Sequence, residues 1–128
     1  MVISFSSEKP RRQLLEKGRV FTARVHRRKQ FIDQPWGRGI NDWANEGRTK
    51  PKIVDVVIFE VGRVQANELH YWQFMSGFED MDEWVEEIKR LNKWKDVRTT
   101  DKFWLYMVCE RGHLFKPWSE RGESIECC

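Results

Sequence analysis

Cysteine is scarce in these 128 residues: Cys109, Cys127 and Cys128 are the only three. An odd count with two at the C-terminal end does not read as the disulfide framework of a small secreted domain. Long apolar stretches are missing too. No run approaches the ~18 residues needed to span a bilayer, and the opening MVISFSSEKPRR lacks the apolar segment of a secretory signal. Together these absences predict a soluble, cytoplasmic protein with no membrane partner. Histidine is equally sparse: His26, His70 and His113 stand far apart, and no CxxC pair accompanies them. No metal site and no cofactor are therefore expected. Gly37-Arg38-Gly39 lacks the preceding strand and following helix of a dinucleotide-binding turn. There is no internal repeat and no low-complexity tract.

What the sequence does have is aromatic surface and segregated charge. Seven Trp, eight Phe and two Tyr argue for a packed core. Net charge is only +3, but nine cations fall between Lys9 and Lys29 against one anion, Glu16. The segment from Glu79 to Glu87 carries six carboxylates. A basic face of this kind attracts phosphate, and a nucleic-acid or nucleotide partner is one reading of it. The other is a solvated basic surface facing the acidic helix.

Periodicity places these features. Val2–Phe5 reads as a short strand, and Glu8–Lys17 as a surface helix capped by Ser7 and ended by Gly18. Arg19–Arg28 alternates with period two, with Phe21, Ala23 and Val25 on one face and Thr22, Arg24 and His26 on the other. Residues 29–52 carry Pro35, Gly37, Gly39, Gly47 and Pro51 with little periodicity. They read as a long loop insertion holding Trp36 and Trp43, with a short helix near Asn41–Glu46 as an option. Ile53–Val61 and Phe103–Cys109 read as central strands. Between them, Asp80 caps a helix whose stripe is Met81, Trp84, Val85, Ile88 and Leu91, with Glu86 and Arg90 as an i,i+4 pair. Cys109 reads as a small buried thiol, and residues 112–128 as a tail. The whole predicts one α+β domain over 1–111: a small curved sheet or β-barrel flanked by two or three short helices.

The candidate site follows from the cationic strand. Arg19, Thr22, Arg24 and His26 converge on one face, where guanidinium, hydroxyl and imidazole groups suit a phosphate or a base edge. Arg11, Arg12, Arg27 and Arg28 would add phosphate contacts, and Trp36 or Trp43 a stacking platform.

Two motifs, in order, resemble the ASCH domain, a branch of the PUA-like superfamily. Lys17-Gly18-Arg19-Val20-Phe21-Thr22-Ala23-Arg24 resembles that family's G-x-K-x-x-T-x-R segment. Ser76-Gly77-Phe78-Glu79-Asp80-Met81-Asp82-Glu83-Trp84 resembles its E-G-F lead into the second helix. The resemblance implies a PUA-like barrel, a cleft lined by the T-x-R strand, and RNA binding. Some small bacterial members are amidohydrolases acting on an acetylated cytidine nucleoside, which implies Arg19, Thr22 and Ser76 at the catalytic positions. Arg19 replaces the family's Lys and stays protonated, and Ser76 replaces a Glu. Glu79 is then the neighbouring carboxylate for a hydrolase. The expected function is accordingly RNA or nucleotide binding, with an amidohydrolase and a ligand-free protein-interaction domain as the alternatives.

Overall fold

Five strands form one curled sheet, a half-barrel in the order β1-β3-β4-β5-β2. The computed structural model describes residues 2–34, 39–47 and 49–114. In chain order the elements are β1 (Val2–Ser4), α1 (Glu8–Lys17), β2 (Arg19–Arg24), α2 (Lys29–Asp33), β3 (Ile40–Asn45) and β4 (Lys52–Gln65). Two 3-10 turns follow, Ala66–Tyr71 and Gln73–Met75, then α3 (Met81–Asn92), β5 (Lys102–Glu110) and α4 (Arg111–Leu114). The β1–β3 pairing is parallel and the others are antiparallel. The fold class is α+β, as the alternation of elements implied. Trp36, Cys127 and Cys128 lie outside the described residues, as does all of the expected tail beyond Leu114.

Strand alternation divides the core in two. From β5, Tyr106 and Val108 join Ile3, Phe5, Leu14, Val20 and Phe31 on one face. Phe103 and Leu105 join Phe21, Val64, Leu69, Trp84 and Ile88 on the other. β4 changes allegiance along its length: Val56 and Ile58 face the first cluster, Val64 the second. A bulge between Glu60 and Gly62 makes the switch, because one extra residue inverts the parity of everything beyond it.

The expected loop insertion at 29–52 is corrected. It contains α2 and β3, and β3 lies inside the sheet between β1 and β4, with no helix at Asn41–Glu46. Its polar sequence hid it, because two of its three buried positions, Asp42 and Asn45, hold polar groups that are hydrogen-bonded. Asp42 accepts from Arg28 at 2.9 Å, from Gln30 at 3.2 Å and from the Trp43 N–H at 2.9 Å. Asn45 accepts from Ser4 Oγ and donates to the Lys50 carbonyl. Satisfied in this way, buried polar groups are tolerated in a core. Cys109 is fully buried, as expected. Among the described residues no helix is long and apolar enough to cross a membrane.

Two glycines fix the helices that frame the site. Gly18, at φ 84°, ends α1 with its N–H on the Leu14 carbonyl. Gly77, at φ 90°, lies against the backbone of α1: a Cβ there would stand 2.6 Å from the Lys9 carbonyl oxygen. The loop leading into α3 therefore packs directly on the start of α1. Lys9 fastens the same junction from outside, bonding Glu83 and reaching Glu79 at 3.7 Å. Glu83 also accepts the Glu79 N–H, while its own N–H caps on Asp80.

Those bonds hold the Glu83 carboxyl below its ordinary value of 4.5, the Lys9 hydrogen bond being the largest cause. A depressed acid stabilises the fold fully above the ordinary glutamate range and loses that contribution as the pH falls through the lowered value. Glu83→Gln should therefore lower the melting temperature at neutral pH, and its gap to wild type should close in acid. Thermal unfolding across a pH series reads this; a gap independent of pH would contradict the latch.

Candidate functional site

β2 is the last strand of the sheet, so one of its edges is open. The Glu110 N–H donates to the Gly18 carbonyl at 2.7 Å, which sets the phase of the β2–β5 ladder. By antiparallel alternation, the main-chain groups of Val20, Thr22 and Arg24 point at β5 and those of Phe21 and Ala23 point at the open edge. The Arg19 carbonyl, on that outer side, accepts from Gln13 at 3.2 Å.

A cleft of about 320 Å³ opens along this edge. Residues 21–25 of β2 and its extension form one wall. Trp84, Glu87, Ile88, Leu91 and Asn92 of α3 form the facing wall, with Phe78 at one end. Ser4, Phe5, Ser6 and Ser7, from the end of β1 to the start of α1, close the floor. The volume sits at the lower end of the range for ligand pockets, and the mixture of apolar walls with a few polar groups is typical of them.

Arg24 supplies the positive charge of this cleft. Its Nε donates to Thr22 Oγ1 at 3.0 Å, the i,i+2 neighbour on the same face. Its outer nitrogen donates to the Ser4 carbonyl at 3.0 Å, bridging the two free edges of the half-barrel, and the guanidinium lies 5.4 Å over the Phe5 ring. Among the described residues no carboxylate pairs with it. Burial first, and the positive charge of Arg28 second, bring its pKa down to about 10. It remains a cation at neutral pH, held in a cleft wall with no counter-ion among the described residues.

The loop before α3 is built around Ser76, which is fully buried. Its Oγ donates to the Gln73 carbonyl at 2.8 Å and accepts the Phe78 N–H at 3.1 Å. Gln73 in turn donates to the Phe78 carbonyl at 2.7 Å, so Phe78 is presented to the cleft by a rigid turn.

Thr22, Arg24 and Ser76 thus line one hollow, and the other sequence candidates do not. Arg19 lies outside the cleft lining. His26 falls beyond the end of β2 and is exposed. Arg27 forms a bidentate pair with Glu60 at 2.8 and 2.9 Å, and Arg28 pairs with buried Asp42. Arg11 reaches Glu46 at 3.7 Å, and Arg12 pairs with Glu8 and Glu16. Five of the nine clustered cations, Lys9 included, are therefore neutralised internally, each by at least one carboxylate that counting from Lys9 to Lys29 leaves out. Trp43 is half-buried in β3, opposite Val2 and Asp55, away from the cleft. Glu79 is exposed and lines a separate small depression beside Lys9. On α3 the ion pairs are Glu86–Lys89 and Glu87–Arg90, at i,i+3, in place of the expected Glu86–Arg90 pair.

The α3 wall of the cleft was not legible as a site, because its residues read simply as a core stripe. Leu91, at the end of that stripe, is 53% exposed and faces the cleft instead of the core. No family model, curated protein or solved structure matches this chain.

Proposed function

We propose that the protein binds a nucleotide, free or as one unit of an RNA strand, in the cleft between β2 and α3. The phosphate lies against Arg24 and Thr22, and the base enters between the apolar side chains of Phe78, Trp84 and Leu91. The observation that carries this reading is Arg24: a cation in a cleft wall with no carboxylate partner among the described residues is short of an anion. The open main-chain edge at Phe21 and Ala23 offers donors and acceptors to the rim of a base. The resemblance to ASCH domains belongs to the same proposal, since it too assigns the T-x-R strand to a ligand cleft.

The geometry favours binding over hydrolysis. Thr22 Oγ1 already accepts from Arg24, Ser76 is committed to its turn, and Arg19 and Glu79 stand away from the cleft. The carboxylate that does line it, Glu87, is bonded to Arg90. No free general base faces Thr22 among the described residues.

Calorimetric titration with uridine monophosphate and with uridine tests the assignment. A charge-assisted contact is worth about 1.5–3 kcal/mol, so the nucleotide should bind roughly tenfold or more tightly than the nucleoside. Equal affinities would remove the phosphate from the account.

A further inference from the structure

Two aromatic rings next to the cleft stand in solvent. Phe74 is 70% exposed and Tyr71 is 65% exposed, both on the 3-10 turns between β4 and α3. Phe74 meets Phe21 edge-to-face, with centroids 6.1 Å apart, and Phe21 lines the cleft. The outer face of Phe74 therefore begins where the cleft ends. Tyr71 is propped by His70 at 4.1 Å and by Trp72 at 6.0 Å.

The turns that carry these rings are pinned. Ala66 and Asn67 donate to the Asp101 and Thr99 carbonyls at 2.7 and 3.0 Å, and Gln65 donates to Glu68 at 2.8 Å. The rings are thus held out on a firm base. Charge points the same way. Arg98 and Lys102 flank the carbonyls that hold the turn, are exposed, and make no ion pair among the described residues. The nearby acids, Glu68 and Asp101, are each tied to a backbone N–H, of Gln65 and Arg98. Exposed rings on a turn whose base is flanked by cations without an ion pair among the described residues are a combination by which proteins hold single strands.

We propose that Phe74, with Tyr71 beyond it, is a stacking platform for the base next to the one held in the cleft, so that the ligand is a single-stranded oligonucleotide. This rests on the nucleotide reading of the cleft and extends it from one nucleotide to a strand.

The test measures binding of the full chain to hexauridylate, hexathymidylate and uridine monophosphate, with wild type, Phe74→Ala, Phe74→Trp and Arg24→Gln. Phe74→Ala should weaken the oligonucleotide by about five- to twentyfold, leave the mononucleotide within about twofold, and be rescued by Phe74→Trp. An effect confined to hexauridylate assigns the platform to RNA; an effect on both assigns it to single strands of either sugar. The proposal is overturned if wild type binds neither oligonucleotide, if Phe74→Ala changes neither, or if it weakens mononucleotide and oligonucleotide alike. An Arg24→Gln variant that keeps full mononucleotide affinity sinks the reading of the cleft instead, while the response to Phe74→Ala still decides the platform.

Discussion

Trp84→Ala is expected to cost about 3–5 kcal/mol of folding stability. Trp84 is 3% exposed, is stacked on Phe78 with centroids 6.4 Å apart, and lies in the cluster with Phe21, Leu69 and Phe103 that seats α3 on the sheet. Truncation removes the indole's buried surface and leaves a cavity that α3 cannot close without leaving Ile88 behind. Domains of this size are stable by about 5–15 kcal/mol, so the loss is a large part of the total. The same side chain forms a wall of the cleft, so Trp84→Ala should also abolish nucleotide binding, whereas Trp84→Phe should recover much of both. Urea unfolding followed by circular dichroism checks the first effect. A loss below about 1 kcal/mol would mean that α3 is not held by this contact.

Arg24→Gln is expected to separate binding from folding. At neutral pH the charged guanidinium opposes folding, because burial has lowered its pKa to about 10. That opposition fades as the pH rises through this value, since the unfolded chain holds the proton more tightly. Removing the charge relieves the burial cost and loses the bonds to Thr22 and Ser4, and the two largely offset. Stability should change by no more than about 1 kcal/mol. Affinity for uridine monophosphate should fall about 10- to 150-fold, the value of a hydrogen-bonded charge contact. Arg24→Lys keeps the charge but not the fork that spans Thr22 and Ser4, and should fall between. Equal affinity of wild type and Arg24→Gln, with both folded, would contradict the assignment.

The parity of β2 was readable because alternation is a local property. Thr22 and Arg24 share a face in the sequence and in the fold. The surrounding electrostatics were not readable, because ion pairs join distant segments. Arg27 finds Glu60, Arg28 finds Asp42 and Lys9 finds Glu83, so a strip counted as cationic is largely neutral. β3 was missed for a related reason. Asp42 and Asn45 look like loop residues until Arg28, Ser4 and the Lys50 carbonyl are brought to them. The apolar pattern of β4 in the sequence stops at Val61, where the bulge exchanges the buried face and breaks the alternation by which a strand is recognised. The cleft itself joins β2 to a helix some sixty residues further along the chain, and no spacing rule links the two. Phe74 and Tyr71 gave no signal because exposure, not identity, is what sets them apart.

The central claim is that Arg24 and the open edge of β2 receive an anionic ligand. The most direct measurement is a two-dimensional amide NMR titration with uridine monophosphate, following the Arg24 Nε–H and the backbone N–H groups of Phe21 and Ala23. The account predicts saturable shifts largest at these three groups. Shifts centred on Arg12, Arg27 or Trp43, with Arg24 unmoved, would contradict it.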